Sequence, residues 1–434
     1  MSDWQFVSLG DLVKVKHGFA FKGAFFKGEG DQLVLTPGNF SIGGGLQLRD
    51  GKERFYSGPY PDEYRLGSGD LLVAMTDLTQ DSPILGSPLL TPRDGVFLHN
   101  QRLGKIEILD SSRLDKNFLY YLFVSDVVRS QLRGSATGST VRHTAPDRIF
   151  AARIQLPPLD VQKKIAAVLS AYDDLIENNT CRIKLLEEMV QRIYREWFVD
   201  FRYPGHEAVP LVDSVLGPIP RGWTVKSLGE LAVIEKGLSY KGEFLTHEGL
   251  PMANLKCFDV SGGFRRDGTK PYSGPFKERH SIGPGSLIMA NTDLTQNGKV
   301  IGSPAIVPRR GFSNGGLITH HLFAIRPRDF APSISYLYYA LDETRFRDFA
   351  RGRASGTTVL GLRTSDCERY RVIVSEVKVG ERFSAMAHDT LLQAEVLQDS
   401  NDSLRTTRDF LLPRLISGGI DVTNLDIAMP EVAA

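Results

Sequence analysis

The sequence predicts an α+β protein in which two β-rich α/β domains are separated by a long antiparallel two-helix coiled coil, built as a pseudo-two-fold tandem duplication. Three observations predict this fold. Short blocks recur at a nearly constant offset along the 434 residues, two long segments carry heptad patterns, and the segments between them are rich in glycine, proline and short apolar runs. The length also exceeds the roughly 100–200 residues of an ordinary domain, so at least two domains are expected.

The repeat is the clearest feature. Residues 76–80 (TDLTQ) recur letter for letter at 292–296, and residues 134–141 (GSATGSTV) return as GRASGTTV at 352–359. The offset between matched blocks stays between about 216 and 219 residues. Self-similarity has to be recognised before a fold is assigned, and one offset along the whole chain indicates a tandem duplication.

The first part of each copy is predicted to be a β-rich α/β domain. Residues 71–75 (LLVAM) and 287–290 (LIMA) are short apolar runs bounded by turn residues, which is typical of buried strands. Residues 117–132 and 334–349 are predicted to form short helices.

The second part of each copy is predicted to be one long helix. Residues 160–201 contain no glycine or proline, and apolar residues recur there at alternating intervals of four and three, the spacing of a coiled-coil seam. The first seam consists of Ile165, Leu169, Tyr172, Ile176, Asn179, Ile183, Leu186, Val190, Ile193 and Trp197. The second, weaker seam consists of Phe383, Ala387, Thr390, Ala394, Leu397, Asn401, Leu404, Arg408, Leu411 and Leu415. At 1.5 Å per residue, each helix would be about 60 Å long.

Pairing the two helices with each other would bury both seams, and an antiparallel pair would place the two β-rich domains at opposite ends of the rod. Asn179 and Asn401 would then lie in the seam, where a polar residue can fix the register; the alternative is that both lie at its solvent edge. Pro413 is expected to bend or end the second helix, and Gly418 and Gly419 to stop it.

These elements divide the chain into five segments. They are a first domain (1–155), a central long helix (156–203), a linker with a second domain (204–375), a C-terminal long helix (376–418) and a tail (419–434). Four prolines between residues 203 and 223 mark the linker.

Composition excludes several classes of protein. No apolar run approaches the roughly 18 residues of a membrane span, and the first residues are too polar for a secretory signal. The three cysteines are far apart and fit a reducing compartment rather than a disulfide framework, so we expect a cytoplasmic protein without a membrane partner. The net charge of +1 is low for a protein that binds nucleic acid alone. If the chain binds DNA, either its basic residues lie on one face or a partner supplies much of the phosphate affinity.

Catalytic motifs are missing from the sequence. The Pro157-Pro158 pair follows a leucine, whereas an adenine methyltransferase loop needs Asn or Asp before it, and there is no Walker A segment. The nine histidines form no ligand pattern. His320 and His321 are adjacent, but on a strand they would point to opposite faces. We therefore expect no catalytic residue and no metal site.

Four segments resemble the DNA-specificity (S) subunits of type I restriction–modification systems. They are residues 154–169 (IQLPPLDVQKKIAAVL), 195–201 (REWFVDF), 216–223 (LGPIPRGW) and 411–422 (LLPRLISGGIDV), and the similarity extends over essentially the whole chain. The resemblance implies two target-recognition domains, each reading one half of a bipartite sequence in double-stranded DNA. It also implies that the helices set the gap between the half-sites and dock two methyltransferase (M) subunits, with restriction (R) subunits completing the complex.

The resemblance implies no cofactor in this chain, whereas the methyltransferase partner would use S-adenosylmethionine and the restriction partner ATP and magnesium. One departure is visible, because the start of the second helix, at 375–381 (SEVKVGE), lacks the Pro-Pro and the glutamine of the first. Whether the two methyltransferase-docking surfaces are equivalent is therefore left open.

Candidate DNA-contacting residues lie mainly in three pairs of loops, which are residues 18–27 with 237–244, 76–80 with 292–296, and 138–143 with 356–363. Arg and Lys pair with guanine, Asn and Gln with adenine, and Ser and Thr with either, while basic and hydroxyl side chains also contact phosphates. In the first copy the candidates are Lys22, Lys27, Asn39, Thr76, Asp77, Thr79, Gln80, Arg102, Ser139, Thr140, Arg142 and His143. In the second copy they are Lys241, Asn254, Lys256, Thr292, Asp293, Thr295, Gln296, His320, Thr357, Thr358 and Arg363.

Structural alternatives exist for these residues. The unchanged TDLTQ block favours a turn capped by Asp77 and Asp293, since residues that read different half-sites would diverge, and the Gly-Ser/Thr loops could be simple connectors. Other candidate positions differ between the copies: Arg102 against Ile318, Arg142 against Leu360, and Asn39 against Asn254 or Lys256. We therefore predict two non-identical half-sites of a few base pairs each.

Two other classes of function compete with DNA recognition. One is a self-contained enzyme with an unfamiliar site, and the other is a coiled-coil adaptor whose β-rich ends bind protein or glycan. Salt-dependent DNA binding would separate recognition from the adaptor, because counterion release gives a steep salt dependence only when phosphates are contacted.

Overall fold

The computed structural model describes residues 4–48, 51–92, 95–139, 141–258, 263–294, 297–357 and 359–428. The chain divides into two compact units, one formed by Met1–Glu177 with Asp402–Ala434 and the other by Asn178–Asn401. Both divisions fall inside long helices, so each unit combines one sheet-rich domain with part of both helices. No helix within the described ranges has the length and apolarity that a bilayer crossing requires.

The first domain contains twelve strands and three helices among its described residues. The strands are β1 (Gln5–Ser8), β2 (Val13–His17), β3 (Phe26–Lys27), β4 (Gln32–Leu35), β5 (Phe55–Tyr56), β6 (Leu71–Ala74), β7 (Thr76–Asp77), β8 (Pro88–Leu90), β9 (Val96–His99), β10 (Leu103–Ile108), β11 (Arg142–His143) and β12 (Arg153–Leu156). The helices are α1 (Lys116–Val124), α2 (Asp126–Ser135) and α3 (Pro146–Phe150), and the long α4 (Leu159–Tyr194) follows.

The linker and the second domain contain the next fourteen strands in the described part of the chain. They are β13 (Leu211–Val212), β14 (Ile219–Pro220), β15 (Thr224–Ser227), β16 (Ala232–Lys236), β17 (Leu245–Ala253), β18 (Lys270–Tyr272), β19 (Ser281–Ile282), β20 (Leu287–Ala290), β21 (Thr292–Asp293), β22 (Pro304–Ile306), β23 (Gly316–Ile318), β24 (Leu322–Pro327), β25 (Leu360–Gly361) and β26 (Arg371–Val374). The helices are α5 (Leu228–Leu231), α6 (Ile334–Asp342), α7 (Thr344–Arg353), α8 (Thr364–Glu368) and the long α9 (Val377–Ile416).

The sheets confirm the duplication element by element. In the first domain a four-stranded antiparallel sheet has the order β2-β10-β6-β8, and in the second the order β16-β24-β20-β22. Each domain also has a second four-stranded sheet that contains one parallel pair, β4 with β9 and β17 with β23. The pairs β7–β11 and β21–β25 correspond in the same way.

Each domain is layered around a central strand that is buried on both faces. In β6, Leu71 and Val73 pack towards the helices, whereas Leu72 and Ala74 pack against the second sheet. Strand β20 divides its four apolar side chains in the same manner. Burial on both faces explains why these strands are continuous apolar runs rather than alternating patterns.

The long helices confirm the predicted seams. Every predicted seam position is buried or half-buried. In the first unit, Ile165 of α4 packs with Leu412 and Leu415 near the end of α9, and in the second unit Tyr194 of α4 packs on Phe383 near the start of α9. Within each unit the two helices are therefore antiparallel.

The ends of the helices follow the predicted signals. Helix α4 continues into a π-helical turn, Arg195–Val199, which keeps the segment helical almost to Phe201. Helix α9 passes through Pro413 and ends three residues later at Ile416. Gly418 follows with φ +73°, a left-handed conformation that glycine adopts readily.

Asn179 and Asn401 lie inside the seam rather than at its edge. They are 8% and 1% exposed, and the Asn179 Nδ2 donates to Asn401 Oδ1 at 3.0 Å. The Asn401 Nδ2 in turn donates to the Thr180 hydroxyl at 3.2 Å. The solvent-edge alternative is therefore wrong.

The polar positions of the second seam are also bonded. The Thr390 hydroxyl donates to the Met386 carbonyl of the preceding turn. In the first unit, the Arg408 guanidinium bonds to Asp173, whose other carboxylate oxygen accepts the Tyr121 hydroxyl at 2.7 Å. The weaker seam is thus held by hydrogen bonds where apolar contacts are missing.

Candidate nucleic-acid interface

In the first domain, the candidate loops meet at the turn that follows β9. The Phe19 N–H donates to the His99 carbonyl at 2.8 Å, and the Gln101 N–H donates to the Phe19 carbonyl at 3.0 Å. From the other side, the Met75 N–H donates to the Arg102 carbonyl at 3.0 Å. The loop that begins at Gly18 and the TDLTQ loop are therefore bonded to one turn.

The third loop joins the same surface through a short strand pair. Strand β11 places His143 opposite Thr76 and Arg142 opposite Asp77, and the Gln80 Nε2 donates to the Ser139 carbonyl at 3.4 Å. The three loop sets predicted from the sequence are therefore contiguous in this domain.

The second domain repeats this arrangement. The His320 N–H donates to the Leu238 carbonyl at 2.8 Å, the Asn291 N–H to the His321 carbonyl at 2.9 Å, and the Leu362 N–H to the Asn291 carbonyl at 2.8 Å. Of the predicted contact residues, Thr140, Thr295, Gln296 and Thr358 lie outside the described residues.

The TDLTQ turn is capped by its aspartate. Asp77 is buried, and one carboxylate oxygen accepts the Thr79 N–H and hydroxyl at 2.9 and 2.8 Å while the other accepts the Ile84 N–H at 2.6 Å. Asp293 is also buried and accepts the Val300 N–H at 2.8 Å. These bonds favour a structural role for both aspartates, as caps of the turn, over contact with DNA.

The same turn exposes a leucine that the sequence reasoning did not select. Leu78 is 66% exposed and Leu294 is 65% exposed, at equivalent positions of the two turns. Thr79 and Gln80 are exposed beside Leu78. The missed signal was the leucine inside a block that is otherwise polar and repeated unchanged.

Two predicted asparagines are engaged inside the protein. Asn39 is buried and its Oδ1 lies 2.9 Å from both the backbone nitrogen and the hydroxyl of Thr36. Asn254 is buried as well, with its Nδ2 donating to the Gly268 carbonyl at 2.6 Å and its Oδ1 accepting the Lys256 N–H at 2.9 Å. Both amides stabilise short 3₁₀ turns, which favours structural roles.

Most of the predicted basic contacts are exposed. Lys22, Lys27, Arg102, Lys241, Lys256 and Arg363 are exposed, as are Ser139 and Thr357 at the loop tips. Lys241 lies 3.6 Å from Glu243, an exposed pair that constrains the lysine little. Arg142 differs, because it is half-buried and donates to the Arg133 carbonyl at 3.1 Å.

Strand register corrects two of the predicted pairings between copies. Leu103 pairs with Ala74, and Leu322 pairs with Ala290, so the two leucines are equivalent. The residues before them are then equivalent too, and Arg102 matches His321 rather than Ile318. Asn39 ends the 3₁₀ turn Pro37–Asn39 and therefore matches Cys257, which ends the turn Leu255–Cys257, rather than Asn254 or Lys256.

The third pairing is confirmed. Arg142 lies opposite Asp77, and Leu360 lies opposite Asp293. The domains therefore differ in side-chain chemistry on a shared backbone.

A threonine hydroxyl contacts an imidazole in each domain. The Thr76 hydroxyl lies 3.1 Å from His143 Nδ1, and the Thr292 hydroxyl lies 2.9 Å from His321 Nδ1. Burial, with smaller contributions from His320 and Lys236, lowers the pKa of His321 below its usual value. A lowered pKa favours the neutral form of the His321 ring near pH 7.

His320 and His321 do not lie on a strand but in the turn between β23 and β24, and their ring centroids are 3.9 Å apart. Among the described residues, no three His, Cys, Asp or Glu side chains are grouped as metal ligands. The sequence reasoning did not select His321, because it matched Arg102 with Ile318.

Gln162, the residue absent from the start of the second long helix, acts inside its own unit. It is buried, its Nε2 donates to the Arg113 and Pro157 carbonyls at 2.8 Å each, and its Oε1 accepts the Asp115 N–H at 2.9 Å. The seam places Gly380 at the equivalent position of α9. The departure therefore changes how a helix is attached to its domain rather than a side chain on its outer surface.

Comparisons with known proteins agree with this geometry. The family model described as "Type I restriction modification DNA specificity domain" matches residues 1–188. The type I restriction enzyme MjaIX specificity subunit of Methanocaldococcus jannaschii is 25% identical over 330 residues, covering 74% of this chain and 73% of the relative. The HindI specificity subunit of Haemophilus influenzae is 22% identical over 478 residues, covering 97% of this chain and 100% of the relative.

A solved structure has the same fold. The crystal structure of the type I restriction–modification S subunit from M. genitalium superposes with a TM-score of 0.60 at 15% identity, covering 95% of this chain and 96% of that one. At this identity the likeness concerns the fold alone.

Proposed function

We propose that this chain, which resembles the specificity subunits of type I restriction–modification systems, is the sequence-specific DNA-recognition subunit of such a complex. The observation that carries the proposal is the meeting of the same three loop sets at one surface of each sheet-rich domain. Binding residues concentrate on loops that a rigid scaffold positions, and these loops are joined by backbone hydrogen bonds. The family match over residues 1–188 supports the same conclusion.

We propose that the target is bipartite and that its two half-sites differ. Each domain has its own loop set, and equivalent positions carry different chemistry: Arg102 against His321, and Arg142 against Leu360. Arginine presents two donors to guanine, whereas leucine presents none. Identical half-sites are therefore not expected.

The chain's own affinity for DNA is modest in this proposal. Exposed lysines such as Lys22 and Lys241 contact phosphates, but the net charge of +1 supplies little overall attraction. Methyltransferase subunits that bind the same DNA contribute the remaining phosphate contacts.

The long helices serve as the docking surface for methyltransferase subunits, and restriction subunits join that assembly. Helix α4 exposes Leu185 and Met189, and α9 exposes Val396, outside the predicted seam. Exposed apolar side chains on a helix favour protein partners when they are grouped.

Chemistry belongs to the partners in this proposal. The methyltransferase subunit uses S-adenosylmethionine, the restriction subunit uses ATP and magnesium, and this chain contributes no catalytic residue. We propose a cytoplasmic location for the complex.

Base-resolution sequencing of methylated DNA tests the proposal. The methyltransferase subunits are expressed with and without this chain, and methylated positions are compared across the host genome. We expect methylation at a bipartite, non-palindromic sequence only when the chain is present. Methylation of a single contiguous palindrome, or methylation that is unchanged without the chain, would contradict it.

The salt dependence of DNA binding separates recognition from the adaptor alternative. For the purified complex, the logarithm of the binding constant falls linearly with the logarithm of salt concentration when phosphates are contacted. A flat dependence would favour binding of protein or glycan instead.

A further inference from the structure

We propose that one imidazole in each domain, held by the threonine hydroxyl that opens the TDLTQ turn, is a specificity-determining group that presents its Nε2 to a base edge. The groups are His143 on Thr76 in the first domain and His321 on Thr292 in the second. This inference rests on the proposed function and names the residues that carry it out.

The contacts fix which ring nitrogen faces the ligand. The Thr76 hydroxyl lies 3.1 Å from His143 Nδ1, and the Thr292 hydroxyl lies 2.9 Å from His321 Nδ1. Both contacts occupy Nδ1 and leave Nε2 for a ligand, and where the hydroxyl donates to Nδ1 the ring proton lies on Nε2. Each ring then offers one N–H donor, which suits N7 or O6 of guanine and N7 of adenine.

The two imidazoles come from different loops. His143 lies opposite Thr76 in the β7–β11 pair, and Gly361 holds that place opposite Thr292 in the second domain. His321 lies in the turn before β24, where the first domain has Arg102. If the contact had only been retained from the duplicated ancestor, the two histidines would occupy equivalent positions. Instead, the equivalent threonine hydroxyls contact histidines that come from different loops. The repeated pairing by different routes points to a shared task.

Both histidines have a fixed backbone. The His143 N–H donates to the Thr137 carbonyl at 2.8 Å and the His143 carbonyl accepts the Thr137 N–H at 3.0 Å. The His321 carbonyl accepts the Asn291 N–H at 2.9 Å, and the Asn291 side chain donates to the His320 carbonyl at 3.2 Å. A group that is already ordered loses little entropy when it binds, which favours its use in recognition.

The accessibility and charge of the rings also fit base contact. His143 is exposed and His321 is half-buried, whereas Thr76 behind His143 is buried. Burial lowers the pKa of His321, so this ring is neutral near pH 7 and is not drawn to phosphates as a cation would be. A neutral, oriented donor distinguishes bases by position.

The test uses the full chain in its methyltransferase complex. The wild-type target is first identified from methylated genomic DNA, and duplexes with each base pair of both half-sites varied singly are then used as substrates. We expect His143→Ala to reduce the preference at one base pair of one half-site by about 10-fold, the value of a good base contact. His321→Ala should do the same in the other half-site alone.

The threonines provide the positioning test. Thr76→Val and Thr292→Val keep the side-chain shape but remove the hydroxyl, so they should weaken the preference at the same base pair as the matching histidine variant. Thr76→Ser and Thr292→Ser keep a hydroxyl and should restore it. His247→Ala, at an exposed histidine of strand β17, is the matched control and should leave every base preference unchanged.

The outcomes separate this inference from the proposed function. If histidine variants methylate at the wild-type rate with unchanged preferences, or lose rate equally at all base pairs of both half-sites, the inference is overturned while the proposed function stands. If the wild-type complex shows no sequence preference at all, the proposed function and the inference fall together.

Discussion

The bond between Asn179 and Asn401 makes the helix seam testable by a double-mutant cycle. Both side chains are almost fully buried, and Asn179 Nδ2 lies 3.0 Å from Asn401 Oδ1. Asn179→Leu removes the hydrogen bond that Asn179 Nδ2 donates to Asn401 Oδ1 at a buried position. The expected loss in free energy of unfolding is about 1–3 kcal/mol, the cost of removing one side of a buried hydrogen bond. The reverse single variant, Asn401→Leu, should cost a similar amount.

The double variant Asn179→Leu/Asn401→Leu should cost much less than the sum of the single variants. Replacing both partners of a buried polar pair with apolar side chains is often nearly neutral or stabilising. The cycle should therefore give a coupling free energy of about 1–3 kcal/mol, within the range for side chains in contact.

Urea unfolding of the full chain, followed by circular dichroism, measures the cycle. Free energies of unfolding are compared for the transition that responds to these substitutions, between variants whose free energy has the same slope against urea concentration. A changed slope would indicate a different unfolded state or lost cooperativity. Lys184→Ala, at an exposed position of the same helix, is the control and should change the free energy by less than about 0.5 kcal/mol. Additive single effects, agreeing within about 0.5 kcal/mol, would refute the proposed coupling.

Four further predictions follow from the described contacts. Burial lowers the pKa of His99 from 6.5 to about 4, so the unfolded chain binds more protons between these values. Wild-type stability in urea titrations should therefore fall by about 2 kcal/mol between pH 7 and pH 4.5, and His99→Phe should not show this loss. Asp173→Ala removes the carboxylate bonded to Arg408 and should lower the free energy of unfolding by about 1–3 kcal/mol in urea. Gly138 has φ +103° and no room for a Cβ. When duplexes varied at single base pairs are the substrates, Gly138→Ala should therefore weaken methylation of those that are varied in one half-site. Leu78→Ala should change the unfolding free energy by less than about 0.5 kcal/mol but reduce DNA affinity in a titration.

Matched variants show whether these effects are specific. Glu188→Ala breaks an exposed ion pair and should cost less than Asp173→Ala. Gly134→Ala adds a Cβ with nothing within 4 Å and should leave methylation unchanged, and Leu109→Ala, at another exposed leucine, should leave DNA affinity unchanged. Equal effects of a variant and its control, or the same pH dependence with and without His99, would contradict the respective prediction.

The helices and the duplication could be predicted because their signals are long-range and periodic. The seam from Ile165 to Trp197 repeats often enough that single polar positions do not obscure it, although the pattern alone did not decide whether Asn179 lies inside the seam or at its solvent edge. Strand β6 was predictable because a run buried on both faces is apolar throughout. These features depend on the sum of many residues.

The candidate site was harder to predict because a polar side chain can direct its hydrogen bonds inward or outward. Asn39 and Asn254 present the same amide that reads adenine, but each is used to stabilise a turn. Loop lengths differ slightly between the copies, so matching the two sequences near Arg102 paired it with Ile318. The structure pairs it with His321. Both facts depend on backbone paths that a residue type does not specify.

The loops closed by Gly138 and Gly356 have a consequence for how specificity changes over time. Thr137 bridges to His143 and Ser355 bridges to Gly361, so both loops have the same span and the same closing glycine while their contents differ. Recombination between the two halves of one gene can therefore exchange the residues of these loops without altering the backbone that holds either loop. In the proposed function these loops read bases, so the duplicated chain would carry alternative reading residues and a change of target would need no new scaffold.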